Sequence, residues 1–246
     1  MDNSKLIYGF HAINIRLQHN PKSIRALFVK ENRHDKRVQQ LSDRAKQQNI
    51  SIDIVTSIFL DKLAQSEHHQ GVVAKIDPDN QPLTVSEVLA NIQEIPLLVI
   101  LDGVTDPHNL GACLRVAESM GAHAVIAPKD NSAKITPIVS KVACGAAESV
   151  PYILVTNLVR AVQEIKEAGI KVSGLVIDGP INLFDCDASV AMAWVLGAEN
   201  KGIRRLTREN CDELVTLPMF GLVKSLNVSV CTGIILAETH RQRRRL

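Results

Sequence analysis

Hydrophobic positions along the chain follow two alternating rhythms. Residues 8–19 (YGFHAINIRLQH) repeat at helical spacing, residues 25–30 (RALFVK) read as a strand, and residues 35–48 form a polar-faced helix with Val38, Leu41 and Ala45 on one side. Residues 51–56 (SIDIVT) alternate as a strand, 57–65 return to helical spacing, and 71–76 (GVVAKI) read as a buried strand. These elements predict a compact α/β unit over residues 1–76. Residues 77–96 carry Pro78, Pro82 and Pro96, have Asn and Asp punctuation and show no strand pattern. They are expected to be a linker holding a short helix over 84–92, capped by Thr84 or Ser86.

Beyond the linker the strands become continuously apolar. Strands are expected at 97–102 (LLVILD), 123–127, 149–155, 171–177, 190–196 (VAMAWVL) and 213–217. Helices are expected at 109–120, 136–144, 157–168 and 203–210, with a long final helix over 226–242. Apolar strands that alternate with helices imply an α/β domain built on a parallel sheet covered on both faces. The last helix carries Val228, Val230, Ile234, Ile235 and Leu236, an apolar surface wider than one stripe and suited to a fully buried helix.

With 246 residues, 46% of them hydrophobic, the chain can build a core without disulfides or a metal. No run of 18 apolar residues is present, so no membrane helix is expected, and MDNSKLIYGFH does not read as a secretory signal. The five cysteines are odd in number and form no CxxC pair, which points to reduced thiols in a cytoplasmic protein. Aromatic residues make up 3%, too few to argue a stacking platform for single-stranded RNA. The net charge of +2 is unevenly spread: residues 1–76 hold 12 bases against 7 acids, while 77–96 hold 4 acids and no base. A basic first third suits a polyanionic partner.

The common nucleotide motifs are missing. No GxGxxG follows a strand, and there is neither a GxxxxGK[ST] loop nor an HExxH helix. His68 and His69 are adjacent and suit no metal face, so no metal is expected. Three segments stand out instead. In DGVTDPHNLGACLR (102–115), Asp106 and Pro107 set a turn at the end of the first apolar strand, Asn109 can cap the helix, and Arg115 follows six residues later. In LGAENKGI (196–203), Gly197 and Gly202 allow close backbone approach and Glu199 puts a carboxylate at a strand end. In LPMFGLVKSLNVS (217–229), Ser225 and Asn227 both suit the N-cap of the final helix. Taken singly, each reads as an ordinary turn or helix cap.

In this order and near the end of the chain, the three segments together resemble the three motifs of the SpoU-type (SPOUT superfamily) RNA 2′-O-ribose methyltransferases. YGFHAI and HHQGVVAKI are similar to the L30e-like RNA-binding domain that precedes the catalytic domain in some members. DGVTDPHNLGACLR, KVACGAAESVP, RRLTRENCDELVTLPM and SLNVSVCTG are most similar to the members that methylate a guanosine in the peptidyl-transferase loop of bacterial 23S rRNA. The resemblance implies an L30e-like domain at 1–76, a linker at 77–96 and a methyltransferase domain at 97–246 with a deep trefoil knot. It also implies a homodimer, S-adenosylmethionine as cofactor and 23S rRNA as partner, with no membrane or DNA. Cofactor contacts would fall at Gly197, Leu217 and Leu226, and the reaction site at Asn109, Arg115, Glu199, Ser225 and Asn227.

The family places Arg115 at the 2′-hydroxyl, sometimes as its base. A guanidinium loses its proton only above about pH 12, at a cost of roughly 7 kcal/mol at neutrality, so a role in binding phosphate and stabilising developing charge is preferred. Lys224 is given no role, and His108 is read as a turn residue. Arg25, Lys30, Arg33, Lys36 and Arg37 are expected to grip rRNA phosphates, and Arg241, Arg243, Arg244 and Arg245 to form a basic tail, disordered or touching RNA. The competing expectations are a SpoU-type tRNA enzyme and an RNA-binding protein without catalysis.

Overall fold

The structure is a computed structural model that describes residues 4–33, 35–64, 66–67, 69–77, 83–199 and 201–244. Pro78, Pro82, His68, Asn200 and Arg245 lie outside the described residues. The chain divides into two compact units, one of residues 1–81 with 135–149, the other of 82–134 with 150–246.

The first unit contains β1 (Lys5–Tyr8), α1 (Phe10–His19), β2 (Ile24–Lys30), α2 (Lys36–Gln47), β3 (Ser51–Val55), α3 (Ser57–Ala64) and β4 (Val72–Ile76). Its sheet runs β1-β4-β2-β3, with β4 antiparallel to β1 and β2 and β3 parallel to β2. Asp35 starts α2 by accepting from the amides of Arg37 and Val38, and this points Val38, Leu41 and Ala45 into the core as the spacing predicts. His69 is buried and fixed by its neighbours. Its Nδ1 accepts from the amide of Gly71, so Nε2 carries the proton donated to Asp61 at 2.8 Å.

This unit also takes in a later stretch, α6 (Pro137–Val142) with a 3-10 turn at Ala146–Glu148. Val139, Ala143 and Ala146 of that stretch are buried. Glu148 meets Arg16 at 3.3 Å, both side chains being about 6% exposed, and Arg16 Nε donates to Ser23 Oγ at 2.7 Å. By packing, residues 135–149 go with the first unit, and residues 82–96 go with the second. Tertiary burial decides this, and the local hydrophobic pattern does not carry it.

The second unit holds α4 (Val85–Asn91), β5 (Leu97–Asp102), α5 (Pro107–Ser119), β6 (Ala124–Pro128), β7 (Tyr152–Val155), α7 (Leu158–Glu167), β8 (Lys171–Leu175), β9 (Ile181–Asn182), β10 (Met192–Gly197), α8 (Arg205–Asn210), β11 (Glu213–Thr216) and α9 (Val228–Arg243). Thr84 and Glu87 close α4 with a reciprocal capping box, while Val85 and Val88 join the core cluster that contains Val162 and Ile165. The short helix expected within this stretch is α4, and Thr84 is its cap.

The seven strands run β7-β6-β5-β10-β8-β11-β9, every pair parallel, which agrees with the α/β parallel-sheet expectation. From β5 the chain first winds outward through β6 and β7, and later returns through β8 and β9 to set β10 beside β5. Asp102 and Gly197 pair in register at the shared carboxyl edge. Such a reversal of strand order is where ligand crevices form in open parallel sheets.

α9 is held by specific polar contacts. The buried Trp194 donates from Nε1 to Thr239 Oγ1 at 3.0 Å. Arg243 donates to the carbonyls of Ile95, Pro96 and Val190 at 2.7–3.0 Å, and Arg241 pairs with Glu238. The basic tail is therefore neither disordered nor free at Arg241 and Arg243. Both are spent on the fold.

Candidate active site

Three loops that leave the carboxyl edge of the second sheet build the site. The first follows β5. Asp106 caps α5 by accepting from the amide of His108 at 3.0 Å, and Pro107 occupies the first helical position. Asn109 is thus inside the helix, and the expectation that it caps α5 is corrected: Asp106 holds that place, so the Asn109 side chain is available elsewhere. The second loop follows β10, and the third runs from β11 to α9, where Asn227 rather than Ser225 is the N-cap. Asn227 Oδ1 accepts from the amide and hydroxyl of Ser229 at 2.8 and 2.6 Å.

That cap fixes the orientation of the Asn227 amide, because Oδ1 must face the helix and Nδ2 must face away. Nδ2 donates to Glu199 Oε1 at 2.7 Å and to Asn109 Oδ1 at 2.9 Å, while Asn109 Nδ2 donates to the same Glu199 oxygen at 3.0 Å. Asn109, Glu199 and Asn227, remote in sequence, form one closed hydrogen-bonded ring. Ser225 is exposed on the same loop. Arg115 does not join the ring. It lies about 9 Å further along α5 and about 120° around it from Asn109, exposed and with no polar partner among the described residues.

Two clefts meet along the Ala198–Gly202 loop. One, of about 590 Å³, is lined by Gly197, Glu199, Leu217, Ser225 and Leu226, so the three positions expected to touch a cofactor share a single space. Its volume falls in the usual range for small-molecule sites. The other, of about 400 Å³, is more polar and is lined by Asp102, Asp106, Asn109, Asn131, Glu199, Lys201 and Arg204. Glu199 stands in the wall common to both.

Gly197 is required by the chain itself. A Cβ there would lie 1.9 Å from the carbonyl carbon of Gly202. Asp102, whose side chain is fully buried, braces the same loop: Oδ1 accepts from Arg204 Nε at 2.5 Å and Oδ2 from the Arg204 amide at 2.9 Å. Asp102 and Arg204 are not among the residues expected from the sequence. A carboxylate closing an otherwise apolar strand is the signal that could find Asp102.

The thiols near the site are poor nucleophiles. Burial pushes Cys113 up to about 12 and also raises Cys231, which lines the larger cleft. Among the described residues no group of three or more His, Cys, Asp or Glu could hold a metal ion, and no helix is long and apolar enough to cross a membrane.

Residues 96–237 match the SpoU rRNA Methylase family. The chain belongs to this family. Residues 6–82 match the family described as RNA 2′-O ribose methyltransferase substrate binding. Among SpoU relatives, the 23S rRNA (guanosine-2′-O-)-methyltransferase RlmB of Neisseria meningitidis serogroup B is 52% identical over 99% of this chain and 97% of its own length. The RlmB of Escherichia coli K12 is 45% identical over 98% of this chain and 99% of its own length. The crystal structure of the SpoU methyltransferase AviRb from Streptomyces viridochromogenes, in complex with the cofactor AdoMet, superposes with a TM-score of 0.83 at 24% identity, covering 99% of this chain and 92% of that one. This last likeness speaks for the SpoU fold alone.

Proposed function

We infer that this protein transfers a methyl group from S-adenosylmethionine to the ribose 2′-oxygen of a guanosine in 23S rRNA, in the peptidyl-transferase loop. The observation that carries the reading is identity of 45–52%, over nearly the whole chain, to relatives named 23S rRNA (guanosine-2′-O-)-methyltransferase. The tRNA alternative is less favoured, because a TrmH/SpoU tRNA modifying enzyme from A. aeolicus aligns with only 65% of the chain.

The larger cleft suits the cofactor in size and in its lining of glycine backbone and leucine side chains. We assign Gly197, Leu217 and Leu226 to hold it, where the two leucines would offer apolar surface to its adenine. When bound, the cofactor supplies a methyl group activated by a sulfonium. The chain's own task is to hold a ribose 2′-oxygen in line with that methyl, an alignment worth up to about 7–11 kcal/mol in favourable cases. The ring of Asn109, Glu199 and Asn227 borders both clefts, which supports assigning it to orient the ribose, with Ser225 fixing the third loop. Arg115, exposed and without a polar partner among the described residues, is assigned to a substrate phosphate and to the negative charge developing on the 2′-oxygen.

The finer architecture follows the same reading. Membership of the SpoU family supports a trefoil knot in the C-terminal region. The four-stranded mixed sheet with flanking helices supports an L30e-like first domain that binds RNA. Exposed Phe220, Leu222, Val223 and Val230 support a homodimer. A cytoplasmic location follows from the substrate.

Methyl-labelled S-adenosylmethionine, incubated separately with unmodified 23S rRNA and unmodified tRNA, tests the reading. Label is expected in the 23S rRNA alone, and Arg115→Lys, which keeps the charge and loses the fork, should lower transfer at least about 100-fold. Label in tRNA alone would move the reading to the tRNA enzymes. No cofactor binding would leave an RNA-binding protein, and near-normal turnover of the variant would remove the role given to Arg115.

A further inference from the structure

We propose that Arg204 anchors a backbone phosphate of the RNA in the polar cleft beside the reacting ribose. The proposal rests on the function inferred above. The Arg204 side chain is half-exposed, yet its position is set from beneath: the fully buried Asp102 takes its Nε with one oxygen and its backbone amide with the other. Only one of its five guanidinium N–H groups is spent on this clamp. Nη1 and Nη2 have no partner among the described residues, so their four donors form an oriented fork on the cleft wall. A guanidinium has no acceptor and matches the geometry of a phosphate, and holding it in advance lowers the entropy lost when the anion binds.

The rest of the cleft divides by charge in a way that fits a nucleotide. Lys201 lines the cleft with Arg204 and adds a second cation. Glu199 and Asp106 supply acceptors for the neutral hydroxyl and N–H donors of ribose and base. Glu199 and Asn109 belong to the polar ring as well, so Arg204 shares one cleft with the proposed reaction site. A buried ion pair adds little net stability by itself, which leaves the exposed half of this arginine without a structural purpose.

The test uses the intact protein and unmodified 23S rRNA over a range of KCl concentrations, with Tm and S-adenosylmethionine affinity measured alongside. Arg204→Gln leaves Asp102 buried without its cation and is expected to destabilise the fold. The double variant Asp102→Asn with Arg204→Gln removes both charges and keeps hydrogen-bonding partners. It should recover Tm and bind S-adenosylmethionine as the wild type does, while its Kd for RNA rises about ten- to hundredfold. The slope of log Kd against log salt should fall by about 0.7–0.9, the signature of one lost phosphate.

Wild-type RNA affinity and slope in the double variant would overturn the anchor and leave Arg204 as a brace for the loop. Weaker binding with an unchanged slope would also overturn it, in favour of a base contact. If the wild type binds and methylates 23S rRNA, either result strikes the anchor alone. A wild type that binds no 23S rRNA overturns the anchor and the proposed function together.

Discussion

Asn227 does two jobs with one amide: Oδ1 caps α9, and Nδ2 holds Glu199 and Asn109. Asn109 does only the second, since Asp106 caps its helix. The two residues should therefore separate in mutation. Asn227→Ala is expected to cost about 1 kcal/mol of stability by chemical denaturation and to impair methyl transfer. Asn109→Ala should impair transfer with much less effect on stability. Equal destabilisation by both would mean that the ring, and not the cap, carries the structural load. The residue types of this site are readable in the sequence because the three motifs contain them. What is not readable is which residue performs each local task. Asp106 and Asn109 are three positions apart and both can cap, and Pro107 at the first helical position decides for Asp106. Asp102 and Arg204 escape the sequence reading because their partnership spans 102 residues.

At the level of elements, apolar runs locate β5, β6 and β10 well, because strands buried on both faces leave a continuous signal. The four-residue β1 and two-residue β9 are too short to leave one. α9 misleads in another way. Its buried set includes Thr232, Glu238 and Thr239, whereas Val230 is 48% exposed, so it is not uniformly apolar within. Several of its polar side chains find partners, Thr239 with Trp194 and the Arg243 Nη groups with three carbonyls, while Arg243 Nε is buried without one among the described residues.

Among the glycines described, Gly197 leaves the least room for a side chain. Gly197→Ala should lower Tm by about 6 °C or more, since neither backbone segment can yield the space a Cβ needs. Gly233→Ala in α9, whose added Cβ would meet Val116 at an ordinary 3.7 Å, should leave Tm unchanged or raise it. Equal Tm for the two variants would show that the apposition at Gly197 can relax.

Across the whole molecule, the division into units changes how the parts should be separated. Residues 135–149 lie inside the span matched to the methylase family, yet their buried side chains and Glu148 are covered by the first unit. Deleting residues 1–76 would strip Glu148 of Arg16, so the truncated chain is expected to lose cooperative melting as well as RNA binding. A melt as sharp as that of the intact protein would contradict this division. Surface substitution is the cleaner probe of RNA binding. Arg25 and Arg33 are already paired with Asp77 and Asp35, which leaves Lys30, Lys36 and Arg37 as the exposed candidates of the basic first third.

The most direct test incubates the intact protein with methyl-labelled S-adenosylmethionine and unmodified 23S rRNA, digests the RNA and maps the labelled nucleoside by mass spectrometry. A single 2′-O-methylguanosine in the peptidyl-transferase loop is the predicted result. Label on a base, or on the ribose of a nucleotide other than guanosine, would contradict it.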